Sequence, residues 1–162
     1  MLVAMRPIRI ALFGLVLGVV GCDHATKAVA EARLAERAPI ELVAGVLDLH
    51  YTQNHDVGFS LLRAIPPEPR RLVILTLGLA MAVGIGWAFA RARTAPILLQ
   101  AGLAVLLAGA IGNLLDRLAR GYVVDFIHLH HWPVFNVADM AVCLGVVAVV
   151  WASRRSHGPS SA

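Results

Sequence analysis

The chain is poor in charged residues and in cysteine, and it contains no nucleotide-binding or serine-hydrolase motif. Asp, Glu, Lys and Arg make up 15% of its 162 residues, against about 25% in an ordinary soluble domain. Cys22 and Cys143 stand far apart in apolar sequence, which excludes a disulfide framework and predicts buried, inert thiols. The lack of GxSxG and GxxxxGK[ST] patterns argues against nucleophilic serine chemistry and nucleotide hydrolysis.

Long apolar runs take the place of the missing charge. Hydrophobic residues make up 59% of the chain, and its mean hydropathy is +0.75. A bilayer core of about 30 Å needs roughly 20 apolar residues per helix, and four runs meet that length, at about 8–30, 72–90, 95–115 and 134–151. We therefore expect an all-α membrane protein, a four-transmembrane-helix bundle that forms one domain over residues 1–162.

The net charge of +4 reflects membrane topology and does not indicate a nucleic-acid partner. No basic cluster is interleaved with exposed aromatics. Six arginines lie at the ends of apolar runs, as expected for charges that set membrane topology: Arg6, Arg9, Arg91, Arg93, Arg154 and Arg155. Acid-free basic segments favour the cytoplasmic side. We therefore expect both termini in the cytoplasm and the acidic residues on the extracytoplasmic side.

The segment between the first two runs differs from the rest of the chain. Residues 40–43 and 46–52 mix apolar and polar side chains with a partial two-residue period, which predicts short strands. Four residues, Pro66-Pro67-Glu68-Pro69, are then expected to break the chain before the second helix. A small extracytoplasmic β-rich cradle, at about residues 38–62, is the prediction.

Three carboxylates lie at or near membrane-length runs. Carboxylates inside a membrane are costly and therefore functional candidates by default. Asp125 sits in the apolar stretch Tyr-Val-Val-Asp-Phe-Ile, which discourages ionisation, whereas Asp116 lies beside Arg117 and is predicted to form a structural ion pair with it. Asp139 is expected to point into the bundle from the first turn of the fourth helix, which Asn136 could cap. Two such carboxylates brought together can share a proton and activate water.

Asp23 and Lys27, four residues apart near the outer end of the first run, predict a helical ion pair. The pair could lie at the membrane interface with the lysine directed outward, or it could frame a site. The sequence Val19-Val20-Gly21-Cys22-Asp23 also matches a lipoprotein signal peptide, but three later apolar runs argue against that interpretation.

The histidines at 128 and 130 raise the possibility of a metal site with Asp125 nearby. No HExxH or Cys/His ligand pattern accompanies them, and histidine and tryptophan are common in interfacial loops. We predict no metal and no cofactor.

The motifs together resemble those of the bacterial lipoprotein signal peptidases (signal peptidase II, prolipoprotein signal peptidase) over nearly the full length. The matching segments are Asp23 to Lys27, Asn54 to Ser60, the GNLLDR…GYVVDF block from Gly112 to Phe126, and the FNVAD block from Phe135 to Asp139. The resemblance implies that Asp125 and Asp139 are catalytic, with Asp116 as the rival for the first position. It implies supporting or substrate-binding roles for Asp23, Lys27, Asn54, Asn113, Asp116, Arg117 and Asn136.

The resemblance also implies the chemistry and the setting. The enzyme would be an aspartic endopeptidase that needs no metal or covalent intermediate. Its substrates would be prolipoproteins carrying S-diacylglyceryl cysteine, cleaved just before that cysteine. It would be a monomeric multi-pass protein of the bacterial inner membrane, in contact with membrane lipids, with its active site at the extracytoplasmic face.

Two departures from the family pattern leave alternatives open. Asp56 replaces a glycine of the family's usual Asn-x-Gly-Ala-Ala-Phe-Ser, and the connection from Asp125 to Asp139 is short, which implies a reduced flap over the site. A catalytically altered membrane binding or scaffold relative is one alternative. A small proton-coupled transporter is the other, although the lack of an internal repeat counts against it.

Overall fold

The computed structural model describes residues 7–56 and 65–156. Four long helices and a three-stranded sheet make up the fold. In chain order the elements are α1 (Pro7–Leu34), β1 (Ile40–Val43), β2 (Leu47–Asn54), α2 (Pro67–Arg91), α3 (Ile97–Ala119), β3 (Val123–Leu129) and α4 (Val137–Ser156), with a short 3₁₀ turn at Ala92–Thr94. The predicted helical bundle with a small sheet is confirmed.

All four helices are long and apolar enough to cross a membrane. Their outer surfaces carry large apolar side chains, such as Leu17, 73% exposed, and Leu72, 67% exposed. In water such a surface would drive association, but in a bilayer it contacts lipid tails. Cys22 and Cys143 also lie on exposed helix positions. The prediction of buried thiols is therefore wrong, because apolar side chains of a membrane helix can face lipid as readily as the protein interior.

The helix α2 begins earlier than its apolar run. It starts at Pro67, five residues before the predicted start, and Glu68 and Pro69 lie in its first turn. The expected break before residue 72 is therefore wrong. Proline has no N–H to donate, but the N–H groups of a first helical turn have no intrahelical acceptor, so proline fits there.

The sheet lies at one end of the bundle, where α1 and α3 end and α2 and α4 begin. Its order is β1-β2-β3, and both pairings are antiparallel. The strands β1 and β2 confirm the prediction of short strands, and the part of the predicted cradle at 57–62 lies outside the described residues. The third strand was not predicted. After β3 the chain folds back, so that Phe135 bridges to Ile127 before α4 begins.

The helix α3 lies at the centre of the bundle and packs against each of the other three. Its approach to α4 depends on glycine: a Cβ at Gly145 would lie 2.6 Å from the backbone nitrogen of Leu106, and one at Gly109 would collide with the carbonyl oxygen of Ala138. Small residues at such crossings let helix backbones come close in lipid. By contrast, the described part of α2 has no close backbone approach to α1 or α4.

Arg9 holds the other end of the bundle together. Its guanidinium donates to the carbonyl oxygen of Phe89 in the last turns of α2, at 3.0 Å, and lies 3.4 Å from the side-chain oxygen of Gln100 in α3. It also stacks over the ring of Phe89, 4.0 Å from its centroid. Arg9 therefore links α1 to α2 and α3 from a buried position, and it is also one of the arginines that flank the first span.

Candidate active site

The predicted site residues meet where the sheet joins the bundle. Asp125 lies in β3, the strand that the sequence did not predict, and Asp139 lies in the first turn of α4. Asp125 is 2% exposed, whereas Asp139 is only partly buried. The site therefore has one carboxylate inside the protein and one nearer its surface.

Each oxygen of Asp125 accepts a hydrogen bond from an asparagine amide. Asn136 donates to Oδ1 at 2.6 Å and Asn54 donates to Oδ2 at 2.8 Å. Burial raises the pKa of Asp125 to about 6, the bond from Asn54 opposes that rise, and the charge of Asp139 adds to it. The apolar context of Asp125 in the sequence predicted this suppression of ionisation correctly.

Asn136 connects both carboxylates. It caps α4, since its side-chain oxygen accepts the backbone N–H of Asp139 at 3.0 Å, while Oδ2 of Asp139 accepts the backbone N–H of Asn136 at 3.2 Å. This reciprocal arrangement is a capping box, and it confirms the predicted cap. Since the amide nitrogen of the same asparagine donates to Asp125, one residue sets the positions of both acids.

The orientation of the Asn113 amide follows from its neighbours. Lys27 donates to Oδ1 of Asn113 at 3.1 Å and Asn136 donates to the same oxygen at 3.2 Å. Lysine and an amide nitrogen can only donate here, so the oxygen must face them. The amide nitrogen of Asn113 is thereby directed at Oδ1 of Asp139, at 2.7 Å.

A buried charge cluster lies beneath the two carboxylates. The Lys27 ammonium is 2.7 Å from Oδ2 of Asp23 and 2.9 Å from Oδ2 of Asp116, and all three side chains have at most 1% exposure. The Asp23–Lys27 pair is confirmed, but the alternative with an outward-directed lysine is wrong. Asp116 pairs with Lys27 and, at 3.7 Å, with Arg120; the expected pair with Arg117 is wrong.

Two features fix this cluster against α3 and α4. Oδ1 of Asp23 accepts the backbone N–H of Ala138 at 2.8 Å, which satisfies one of the free donors in the first turn of α4. A Cβ at position 112 would lie 2.8 Å from Oδ2 of Asp23. Gly112 is therefore the residue that lets Asp23 reach the cluster.

Arg117 joins the site through backbone carbonyls. It donates to the oxygen of Asn113 at 3.1 Å and to that of Asp56 at 3.2 Å. The Asp56 side chain pairs with Arg70 of α2 at 3.0 Å, and its N–H donates to the side chain of Asn54 at 3.0 Å. Asp56, which stands where the family pattern has a glycine, thus links the turn at Asn54 to α2 and α3. Gly58 to Ser60 of this motif lie outside the described residues.

The sequence analysis missed Asp48 and His50, which lie at the other end of the same sheet. Asp48 is close to His50, His128 and His130, so the ligand set considered from sequence, with Asp125 beside the histidines, is wrong. Across the described residues, the grouped potential metal ligands are Asp48, His50 and His128. The signal available was the Asp-x-His spacing in β2, but its pairing with His128 depends on the unpredicted strand β3.

Comparison with known proteins agrees with the site motifs. A family model described as signal peptidase (SPase) II matches residues 15–155. The chain is 36% identical over 137 residues to the lipoprotein signal peptidase of Desulforapulum autotrophicum, covering 82% of this chain and 85% of that protein. It is 32% identical over 150 residues to that of Pelotomaculum thermopropionicum, covering 93% and 95%.

A solved structure shares the fold. This bacterial membrane enzyme, determined by the in meso method at 2.3 Å resolution, aligns with a TM-score of 0.76 at 22% identity, over 93% of this chain and 92% of its own. A match at that identity supports the fold alone. The family model and the sequence relatives carry the assignment: this multi-pass bacterial membrane protein belongs to the signal peptidase II family.

Proposed function

We propose that the chain is an aspartic endopeptidase that removes signal peptides from prolipoproteins, cleaving before a cysteine that carries an S-diacylglyceryl group. Membership of the family supports the peptidase activity. The observation that supports the aspartic mechanism is the hydrogen bonding of Asp125 and Asp139 to a single residue, Asn136. The charge of Asp139 also raises the pKa of Asp125, so we infer that the two carboxylates titrate as one unit.

One proton is shared by the pair in the active form. The charge of Asp139 disfavours ionisation of Asp125, as expected for neighbouring carboxylates. The ionised member takes a proton from water, and the resulting hydroxide adds to the scissile carbonyl carbon. The protonated member donates to the carbonyl oxygen as it becomes an oxyanion. Collapse of the tetrahedral intermediate breaks the C–N bond, and a carboxyl proton passes to the leaving amine.

The asparagines position the two acids without adding charge. Asn54 and Asn136 bind Asp125, and Asn113 binds Asp139. Lys27 holds Asn113 from beneath through a bond of 3.1 Å. Asp23 and Asp116 both contact Lys27, so the lysine charge is compensated inside the protein. The buried cluster thereby fixes the position of Asn113.

The position of the site suits a substrate that lies in the membrane. The site is at the end of four apolar helices, where a signal helix could remain in the bilayer with its cleavage point at the boundary. The start of α1 and the end of α4 both lie at the end of the bundle opposite the sheet. Together with the arginines at that end, this supports cytoplasmic termini and an extracytoplasmic site. We also propose that the protein acts as a monomer.

The direct test uses purified protein and a synthetic prolipoprotein with or without the diacylglyceryl group. We expect a mass shift that corresponds to loss of the signal peptide for the modified substrate alone. Cleavage of both forms would contradict the requirement for lipid. Absence of cleavage, from protein that retains its folded thermal transition, would favour the scaffold alternative.

The pH dependence of cleavage tests the shared proton. Since a raised pKa of about 6 at Asp125 marks loss of that proton, we expect kcat/KM to fall as the pH rises through about 6. Asn54→Ala removes a hydrogen bond that lowers this pKa, so the alkaline midpoint should move to higher pH. The matched control is Gln53→Ala, at an exposed neighbouring position, which should leave the midpoint in place. A midpoint that moves down in Asn54→Ala contradicts the assignment.

A further inference from the structure

A second cluster of ionisable side chains lies on the sheet, away from the two catalytic aspartates. Oδ1 of Asp48 is 3.1 Å from Nδ1 of His50 and 3.1 Å from Nδ1 of His128, and Oδ2 is 3.2 Å from Nε2 of His130. One oxygen of Asp48 and one ring nitrogen each of His50 and His128 lie within 4.8 Å of one another. We call these four residues the Asp48 cluster.

The strand register brings these side chains together. Asp48 of β2 is directly opposite His128 of β3, and His130 follows β3, where its backbone N–H donates to the carbonyl oxygen of Val46 at 3.1 Å. The rings of His50 and His128 meet edge to face with centroids 4.9 Å apart. Side chains held on paired strands are well ordered, as a preformed binding site requires.

The chemistry of the donors fits a particular class of ion. Two imidazoles and one carboxylate supply nitrogen and oxygen ligands, a set that suits Zn²⁺, Cu²⁺ and Ni²⁺ and is poor for Mg²⁺ or Ca²⁺, which prefer oxygen alone. Ligand atoms at about 2.0–2.2 Å from a tetrahedral Zn²⁺ ion lie roughly 3.3–3.6 Å apart. Oδ1 of Asp48 is 3.1 Å from Nδ1 of both His50 and His128, which is close to that spacing.

The cluster is accessible and its carboxylate is ready to bind. The side chains are partly exposed, from 13% for Asp48 to 37% for His130, so an ion can enter from solvent. An aspartate carboxylate is ionised at neutral pH. The unprotonated nitrogen of a neutral imidazole is the one that binds a metal ion.

We propose that Asp48, His50 and His128 form a binding site for one late first-row divalent ion, with Zn²⁺ as the expected occupant. The ion would cross-link β2 and β3, and His130 lies beside the other oxygen of Asp48, at 3.2 Å. Thr52, which pairs with Asp125, is four residues along β2 from Asp48, about 13 Å at the usual rise of a strand. The site is therefore structural: it stabilises the sheet that carries Asp125, and it takes no part in the chemistry at the two aspartates.

The test is titration of ZnCl₂ into detergent-purified full-length protein that carries no polyhistidine tag. We expect one equivalent of Zn²⁺ to bind, by calorimetry and by metal analysis after dialysis, together with a rise in the thermal unfolding temperature. Co²⁺ should give the visible absorption of a tetrahedral complex, and MgCl₂ should cause neither change. These measurements do not depend on peptidase activity.

The matched variants separate this site from other histidines. The double variant His50→Asn and His128→Asn should weaken Zn²⁺ binding at least roughly tenfold, or about 1.4 kcal/mol, while the control His131→Asn and His157→Asn should bind as the parent does. Asp48→Asn, a near-isosteric change, should also weaken binding. Equal loss in the control, or no saturable binding by the parent protein, would overturn the proposal.

Discussion

Asp125→Asn and Asp139→Asn should each lower the rate of signal-peptide cleavage by about 10²–10⁴-fold or more, the range of a lost general acid or base. Asparagine keeps the shape of each side chain but cannot share or transfer the proton. Asn136 can still cap α4 in the Asp125 variant, because that cap is made with Asp139. In the Asp139 variant the backbone N–H of residue 139, which donates to Asn136, is unchanged, so we expect both proteins to remain folded. The measurement is single-turnover cleavage of a diacylglyceryl-modified prolipoprotein, with thermal unfolding recorded in parallel.

Asp116→Asn is the variant that discriminates between the two possible first aspartates. Asp116 is 2% exposed, contacts Lys27 at 2.9 Å and lies 3.4 Å from the N–H of Val124, so substrate has no access to it. We expect reduced stability with cleavage that is still measurable. If Asp116→Asn and Asp139→Asn are inactive while Asp125→Asn cleaves normally, the choice of Asp125 is wrong.

Lys27→Met should produce the largest loss of stability, about 3–5 kcal/mol in the free energy of unfolding, the usual effect of removing one partner of a buried ion pair. The substitution leaves Asp23 and Asp116 facing each other with no cation between them, at sites with at most 1% side-chain exposure. It also removes one of the two donors that orient Asn113. Thermal unfolding in detergent and the yield of monodisperse protein measure the effect.

Removal of the whole charge cluster supplies the control. The triple variant Asp23→Asn, Lys27→Met and Asp116→Asn has no buried charge at these positions, and it should recover much of the stability lost in Lys27→Met, because uncharged replacements of a buried cluster avoid the cost of desolvating ions. A triple variant less stable than Lys27→Met would show that the three charges act separately.

The helices and the motif positions could be predicted from the sequence because both depend on local patterns. Apolar runs long enough to span a membrane can be recognised without knowledge of tertiary contacts. The capping role of Asn136 likewise follows from its place just before α4. The Asp23–Lys27 pair is likewise set by helical spacing. The roles of the nine site residues remain predictions, although the structure places all nine in one region.

The errors come from contacts between distant parts of the chain. Neighbours on a helix point in different directions, so Asp116 does not pair with Arg117 but with Lys27, 89 residues away. The strand β3 is stabilised by β2, whose pairing cannot be read from the sequence of either strand. The first turn of α2 tolerates prolines because of its position, whereas composition alone indicated a break.

Among the described long helices, α2 packs closely along its length on α3 alone. This arrangement affects how a membrane-bound substrate reaches the aspartates. α2 is fixed to α1 and α3 near Phe89 by Arg9, and toward the sheet it packs on α3, with no close backbone approach to α4 among the described residues. α3 and α4 are held together by glycine contacts. A sideways pivot of α2 about the end held by Arg9 would break the Asp56–Arg70 pair and contacts with α3, but no close backbone contact with α4 among the described residues, and it would open the enzyme directly to the lipid phase.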